Sequence, residues 1–397
     1  MARTAHPGTP GEVFLAFLRL GLTSFGGPIA HLGYFRQAFV ERRRWFGEAA
    51  YAELVALCQF LPGPASSQVG MAIGLQRAGV LGMLAAWFAF TMPSAILLVA
   101  FAYGAAALGD VAGAGWIQGL KAAAVAVVAQ AVLAMGRSLA PDARRAAIAG
   151  AAAIACLLVP NPLIQIAAIA GAGLVGLLWL REPPLADDEP PFEVRIGRIG
   201  AVACLGVFAA LLVGLPILAA VTGDGAARLG DIFYRAGALV FGGGHVVLPL
   251  LESETVPTGL VSHDAFLAGY GAAQAVPGPL FTFAAYLGAV MRGPGGIAGA
   301  AIALVAIFLP SALLVAGALP FWTRLRGSRL ARRALMGINA GVVGILGAAL
   351  YTPVFTEGIG SATALAIAIA AFVALVKWSA PPWAVVVAAA VLGFLLL

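Results

Sequence analysis

Residues 80–104, 116–135, 200–221 and 297–319 are apolar blocks, each about as long as the roughly 20 residues a helix needs to cross the hydrocarbon core of a bilayer. The remainder of the chain agrees with them. Of 397 residues, 62% are hydrophobic and only 10% charged, too few charges to cover the surface of a soluble domain of this length. An all-α polytopic membrane protein is expected, with the lipid bilayer as its first partner. The net charge of +6 is no nucleic-acid footprint, because the arginine clusters sit in short loops between apolar blocks, as the positive-inside rule places them. Cys58, Cys156 and Cys204 lie in apolar context without a CxxC, so no disulfide, metal site or cofactor follows. Residues 1–12 are polar and lack the basic n-region and cleavage site of a signal peptide. The only lysines are Lys121 and Lys377, and no GxxxxGK[ST] occurs, so ATP-driven transport by this chain has no support. An enzyme is not expected either, since no paired carboxylates, zinc-ligand cluster or nucleophile–base set appears.

The chain is a duplication. Residues 17–27 read FLRLGLTSFGG and residues 233–243 read FYRAGALVFGG, which matches Arg19 to Arg235 at an offset of 216. QFLPGP at 59–64 meets QAVPGP at 274–279, and Arg77 meets Arg292, at an offset of 215. The MPSAILLV and LPSALLVA elements pair Pro93 with Pro310, and GLKAAAV pairs Gly119 with Gly337 in GINAGVV. Ordered anchors at nearly one offset mark two copies of one unit. The expected division is a first half at 1–180, a charged proline-rich linker plus one unpaired transmembrane helix at 181–222, and a second half at 223–397. Loop charges flip between the copies. Residues 36–44 are strongly basic, whereas the equivalent 252–264 carry three acids and one histidine; residues 105–115 hold only Asp110, whereas 321–333 hold five arginines. Equivalent loops then face opposite sides, which makes an inverted repeat with the N-terminus in the cytoplasm.

The same charges suggest that residues 13–35, interrupted by Gly26, Gly27 and Pro28, enter and leave on one face. Residues 49–76, interrupted by Pro62, Gly63 and Pro64, do likewise. Both are read as re-entrant helical hairpins, with a kinked full span as the alternative. Matched Gly/Pro breaks in two halves point to a binding site. Pro64 suits the first position of a helix whose opening amides, at Ala65, Ser66 and Ser67, point at an anion, and the hydroxyls of Ser66 and Ser67 add donors. Pro277, Gly278, Pro279 and Thr282 repeat the arrangement, and Gly242 and Gly243 match Gly26 and Gly27 in allowing close backbone approach. Gln59 and Gln274 precede each break, either as oxyanion donors or as braces.

A helix start is worth about half a positive charge, so two of them half-neutralise a dianion. Arginines matched across the repeat, Arg19 with Arg235 and Arg77 with Arg292, are the candidates for the remainder; snorkelling to headgroups is the alternative. Lys121 has no match, its partner being Asn339. His31 and His245, just after the FGG elements, are read as packing or hairpin-stabilising residues.

These elements together resemble the chromate ion transporter family, once per half and over nearly the whole chain. The resemblance implies a bacterial inner-membrane protein that exports chromate and confers resistance, driven by membrane potential or by anion/proton exchange. Sulfate is the competing look-alike, and a sulfate or other oxyanion carrier or channel is the alternative. Some family members are single halves working in pairs, so a homodimer is compatible with it. The second copy departs from the pattern, with FGGG-His in place of FGGP. Physics favours export: a dianion leaving a negative interior gains about 4.6 kcal/mol per 100 mV. Proton symport usually relies on intramembrane acids, and Glu53 is the one candidate that the hairpins offer.

Overall fold

The structure, a computed structural model, describes residues 8–25, 27–107, 115–159, 162–181, 197–241, 244–322 and 328–397. Gly26, Gly242 and Gly243 lie outside them. The described residues are helical almost throughout and contain no strand.

The first half comprises α1 (Pro10–Thr23), α2 (Gly27–Arg36, continued by a π turn at Gln37–Arg42), α3 (Glu48–Phe60), α4 (Ala65–Ala107), α5 (Gly115–Leu139), α6 (Ala143–Leu158) and α7 (Pro162–Trp179). After the unmatched α8 (Arg198–Thr222), the second half comprises α9 (Gly225–Leu239), α10 (Val247–Thr255), α11 (His263–Ala275), α12 (Phe283–Val290), α13 (Gly296–Ala318), α14 (Arg329–Ala349), α15 (Ala362–Val376) and α16 (Pro382–Leu396). The copies correspond one to one once α4 is divided at Ala78 and Gly79, where the backbone leaves helical geometry. Five described helices, α14 with its continuation to Gly358 included, are long and apolar enough to cross a membrane. Local sequence sets the starts. Thr9 caps α1 ahead of Pro10, Asp224 caps α9 and Ser262 caps α11, each side-chain oxygen accepting an otherwise unpaired first-turn amide.

Helices flanking the breaks are short. α1 has 14 residues and α3 has 13, about 20 Å each, well below the ~30 Å of a hydrocarbon core. Ends of both broken segments gather at one place. Glu12 at the start of α1 pairs with Arg77 at the break in α4, Arg77 lies 4.7 Å from the ring centroid of Trp45, and Arg36 bonds Glu48 at the start of α3. The segments are therefore hairpins and not kinked spans. In the second half, Arg292 N–H donates to Leu260 O, and Gly225 abuts Pro294, so α9–α10 and α11–α12 also return to their own end.

That end is the opposite one. Tyr103 sits against Gly296, at the entry end of the second half, 24 residues and about 36 Å of helix beyond Gly79. Lys121, near the start of α5, bonds Asp264 at the start of α11 at 2.7 Å. The C-terminal parts of the halves are exchanged. α5 packs on α15 and α16 of the second half, and α14 packs on α6 and α7 of the first. Small residues let these backbones approach: a Cβ on Gly119 would overlap Ala389 O, and one on the matched Gly337 would overlap Ala172 O. α8 packs on α9 and α13 through half-buried residues, and Ala201 is its one fully buried position.

Candidate functional site

The four breaks meet at the centre, each PGP crossing to the other half. Gly63 N–H donates to Val240 O at 2.6 Å, just before the second FGG, and Gly278 N–H donates to Ser24 O at 2.9 Å, just before the first. Both glycines have positive φ, +126° and +100°. A Cβ on Gly63 would overlap Ser311 Oγ, and one on Gly278 would lie 2.8 Å from Ser94 Oγ, so the PS serines close the same junction. Gly244 faces Pro28, joining the second FGG region to the first.

Buried polar atoms without a hydrogen-bond partner accumulate within a turn or so of these breaks and serines. They are Ser24 Oγ, Ser67 Oγ, Gln68 Oε1, Thr91 Oγ1, Gln274 Nε2 and Ser311 Oγ. Buried polar groups are normally satisfied, so a concentration of orphans marks a place for a polar guest or water. The helix start agrees. Gln68 N–H closes the first turn on Pro64 O at 3.0 Å, so the amides of Ala65, Ser66 and Ser67 stand ahead of the first intrahelical bond. Pro64 thus caps α4 from one position outside it, not from the first helical position that the sequence suggested. The second copy differs. Leu280–Thr282 is a 3-10 turn, and both the amide and the hydroxyl of Thr282 bond Pro279 O, at 3.0 and 2.7 Å. Its donor set is the weaker one.

A cavity of about 450 Å³ reaches the junction of the first FGG with the second PGP. Its walls include Phe25, Gly27 and Tyr34, then Gln130 on α5, His245, Gln274 and Gly278, and the α15–α16 connection from Ser379 to Trp383. Its Tyr34 wall lies two residues before Arg36, on the segment that leads to Arg42, Arg43 and Arg44. The ring of His31 is buried and fully engaged, with Nδ1 3.3 Å from Ser66 Oγ and Nε2 3.2 Å from Ser24 O. It braces the hairpin, as its position in the sequence implied. His245 instead lines the cavity, with Nδ1 2.7 Å from the Tyr270 hydroxyl.

The matched arginines do not converge here, and no arginine or lysine is among the described residues lining the cavity. Arg19 is exposed on α1. Arg235 is held by Asp231 at 2.8 Å and Glu254 at 3.1 Å. The physical reason is local: the first-half counterparts of those two acids are Leu15 and Ala38, so Arg19 has no carboxylate to draw it inward and Arg235 has two. Arg77 is occupied by Glu12 and Trp45, Arg292 is exposed, and buried Lys121 is paired with Asp264. Gln59 is exposed, whereas Gln274 lines the cavity. Pro62 O accepts from Gln68 Nε2 at 2.7 Å, and Pro277 is buried beside Gly278. The hairpin helices hold another buried acid besides Glu53, the one candidate of the sequence reading. Buried Asp231 lies in α9, and its i,i+4 spacing to Arg235 was the available signal. Tyr34, Gln130 and the Ser379–Trp383 connection were missed as cavity residues; Gln130, a polar side chain within an apolar helix, was the one that could have been noticed.

Comparison with known proteins identifies the surroundings of this site. A family model described as chromate transporter matches residues 11–177 and 227–394. The chain is 30% identical to the chromate transport protein of Pseudomonas aeruginosa over 85% of this chain and 79% of that one. It is 29% identical to a probable chromate transport protein of Synechococcus elongatus, covering 78% and 75% of the two chains, and 26% identical to the chromate transport protein of Cupriavidus metallidurans, covering 86% and 82%. No solved structure matches it.

Proposed function

Because the chain belongs to the chromate transporter family, we propose that it carries chromate outward across the bacterial inner membrane, binding the anion where the two PGP breaks cross. The observation that carries this reading is the reciprocal pair of bonds, Gly63 to Val240 and Gly278 to Ser24, which joins four interrupted helices at one point beside a cavity. Non-helical backbone at membrane depth is tolerated only where protein or a water-filled cavity covers it, and inverted repeats with such breaks bind substrate at the repeat interface. The arginine-rich end is assigned to the cytoplasm by the positive-inside rule, and the α2 wall of the cavity leads toward that end, which supports an opening to the cell interior. Access from the other side comes from rocking one set of hairpins against the other, which moves the opening and leaves the site in place.

Membrane potential favours this direction, at about 4.6 kcal/mol per 100 mV for a dianion leaving a negative interior. Export of this kind confers chromate resistance. The exposed apolar face of α8 contacts lipid. Radiolabelled chromate and sulfate flux in vesicles of imposed potential tests the reading. Chromate should leave an inside-negative vesicle faster as the potential rises, and sulfate should compete. Chromate movement that ignores the potential and follows only an imposed proton gradient would refute potential-driven export. Sulfate flux without chromate flux would make the chain a sulfate carrier.

A further inference from the structure

A chromate dianion in this cavity lacks a full counter-charge. Of the two PGP starts, the second borders the cavity through Gly278 and Leu280, opens on a 3-10 turn and supplies no more than about half a positive charge, while the first is not among the described lining residues and acts from farther away. Together they leave at least one negative charge uncompensated, in surroundings where an unpaired charge is costly. No arginine or lysine is among the described residues that line the cavity, and of those the one side chain able to become a cation is His245.

Its setting suits that task. Nδ1 is fixed by the Tyr270 hydroxyl at 2.7 Å, and among the described residues Nε2 has no hydrogen-bond partner. Gln274, one turn after Tyr270, lines the same cavity and has an unpartnered buried amide nitrogen. Resting on the reading of the chain as a chromate carrier, we propose that His245 is a substrate-binding residue that takes a proton from cavity water onto Nε2 as the anion enters, and so supplies the missing charge. No bond to the anion forms; a cavity water gives its proton to the imidazole, the hydroxide left behind exits to the bulk and is neutralised by buffer acid, and the imidazolium pairs with an oxyanion oxygen.

The groups around His245 fit this assignment. The Tyr270 phenol on α11 faces it directly, and the Tyr34 phenol on α2 shares the cavity. On α9 and α10 the charges Asp231, Arg235 and Glu254 are bound to one another, and Glu252, seven residues beyond His245 on α10, is not among the described residues of the cavity wall. Arg329, Arg332 and Arg333, in the first two turns of α14, are absent from the cavity wall, as are Lys121 and Asp264. His31, the histidine near the first FGG, cannot act in this way, since both of its ring nitrogens are engaged. In the second copy Gly244 stands where the first has Pro28, and the next residue, His245, is on the cavity wall where the first copy has Ile29.

Linkage makes the proposal measurable, because anion binding and proton binding must favour each other equally. At about pH 8 a histidine of ordinary basicity is neutral, and chromate is a full dianion. Isothermal titration calorimetry of the purified full-length protein with chromate, in two buffers of different ionisation enthalpy, counts the protons taken up. Close to one proton per chromate is expected for the parent and none for His245→Gln, which should bind about 10- to 100-fold more weakly. His245→Lys should regain affinity without proton uptake. Zero uptake by the parent overturns the proposal without any variant. Uptake that persists in His245→Gln assigns the proton elsewhere and also overturns it. A parent that binds neither chromate nor sulfate removes the carrier reading itself, and the proposal with it.

Discussion

Gly63 and Gly278 carry more of the junction than any other residues. Each has a positive φ, each donates across the repeat, and each leaves no room for a Cβ beside a serine of a PS element. Gly63→Ala and Gly278→Ala should each cost about 1–3 kcal/mol in backbone strain alone and abolish most transport, while the protein still reaches the membrane. Thermal unfolding and chromate flux measure the two effects, and parental flux in either variant would remove that crossing from the site. A second contrast lies in the arginine pair. Arg235→Gln leaves buried Asp231 without its cation, so destabilisation should approach the ~3–5 kcal/mol seen when a buried pair loses one member. Arg19→Gln should change stability by about 0.5 kcal/mol or less, as substitutions at exposed sites do. Equal effects in an unfolding experiment would contradict the asymmetry. The sequence aligned these arginines correctly but could not reveal their different surroundings. Asp231 was visible one turn before Arg235, whereas Glu254 reaches it only because α9 and α10 fold back together.

Among the elements, both Gly/Pro breaks were legible, because proline and glycine interrupt helices for local steric reasons that need no tertiary context. What each break becomes was not. The same PGP starts a long helix at Ala65 in one copy and a 3-10 turn ahead of the eight-residue α12 in the other. The difference lies downstream, where Ala65, Ser66 and Ser67 are replaced by Leu280, Phe281 and Thr282, and where Thr282 closes on Pro279 O. Pro64→Ala should therefore reduce chromate transport more than Pro279→Ala, since only the first start keeps its opening amides ahead of an α-helix. Flux in vesicles, normalised to protein in the membrane, measures this. Unimpaired transport in both variants would make PGP a mere helix breaker. The contact of α5 with α11 was hidden for a related reason. Lys121 looked like an unmatched cation, and its partner Asp264 lies 143 residues away. Lys121→Met should fall between the ~0–1 kcal/mol of exposed pairs and the ~3–5 kcal/mol of buried ones, because Asp264 keeps access to solvent.

For the whole molecule, the inversion inferred from loop charges predicts that cysteines introduced by Glu254→Cys are labelled from outside, and that those from Arg43→Cys and Arg329→Cys are not. Labelling at 43 and 254 from the same side would sink the topology. The exchange of C-terminal hairpins, which no loop charge foretold, carries a stronger consequence. Neither half buries its own sixth helix: α5 is covered by α15 and α16, and α14 by α6 and α7. A chain cut within 182–196 should therefore work only when residues 1–181 and 197–397 are made together, and the two pieces should co-purify. A single half has no way around this by pairing with itself. The pseudo-symmetric partner must enter the membrane from the opposite face, whereas two copies of 1–181 carry the same arginines at 36–44 and are inserted the same way round. The crossing of Gly63 onto Val240 and of Gly278 onto Ser24 would then have no partner, and neither piece alone should transport chromate. Co-expression with affinity capture on one piece, followed by vesicle flux, is the measurement. A stable, transport-competent 1–181 on its own would mean that the exchanged hairpins are dispensable and that the inverted arrangement is not what forms the site.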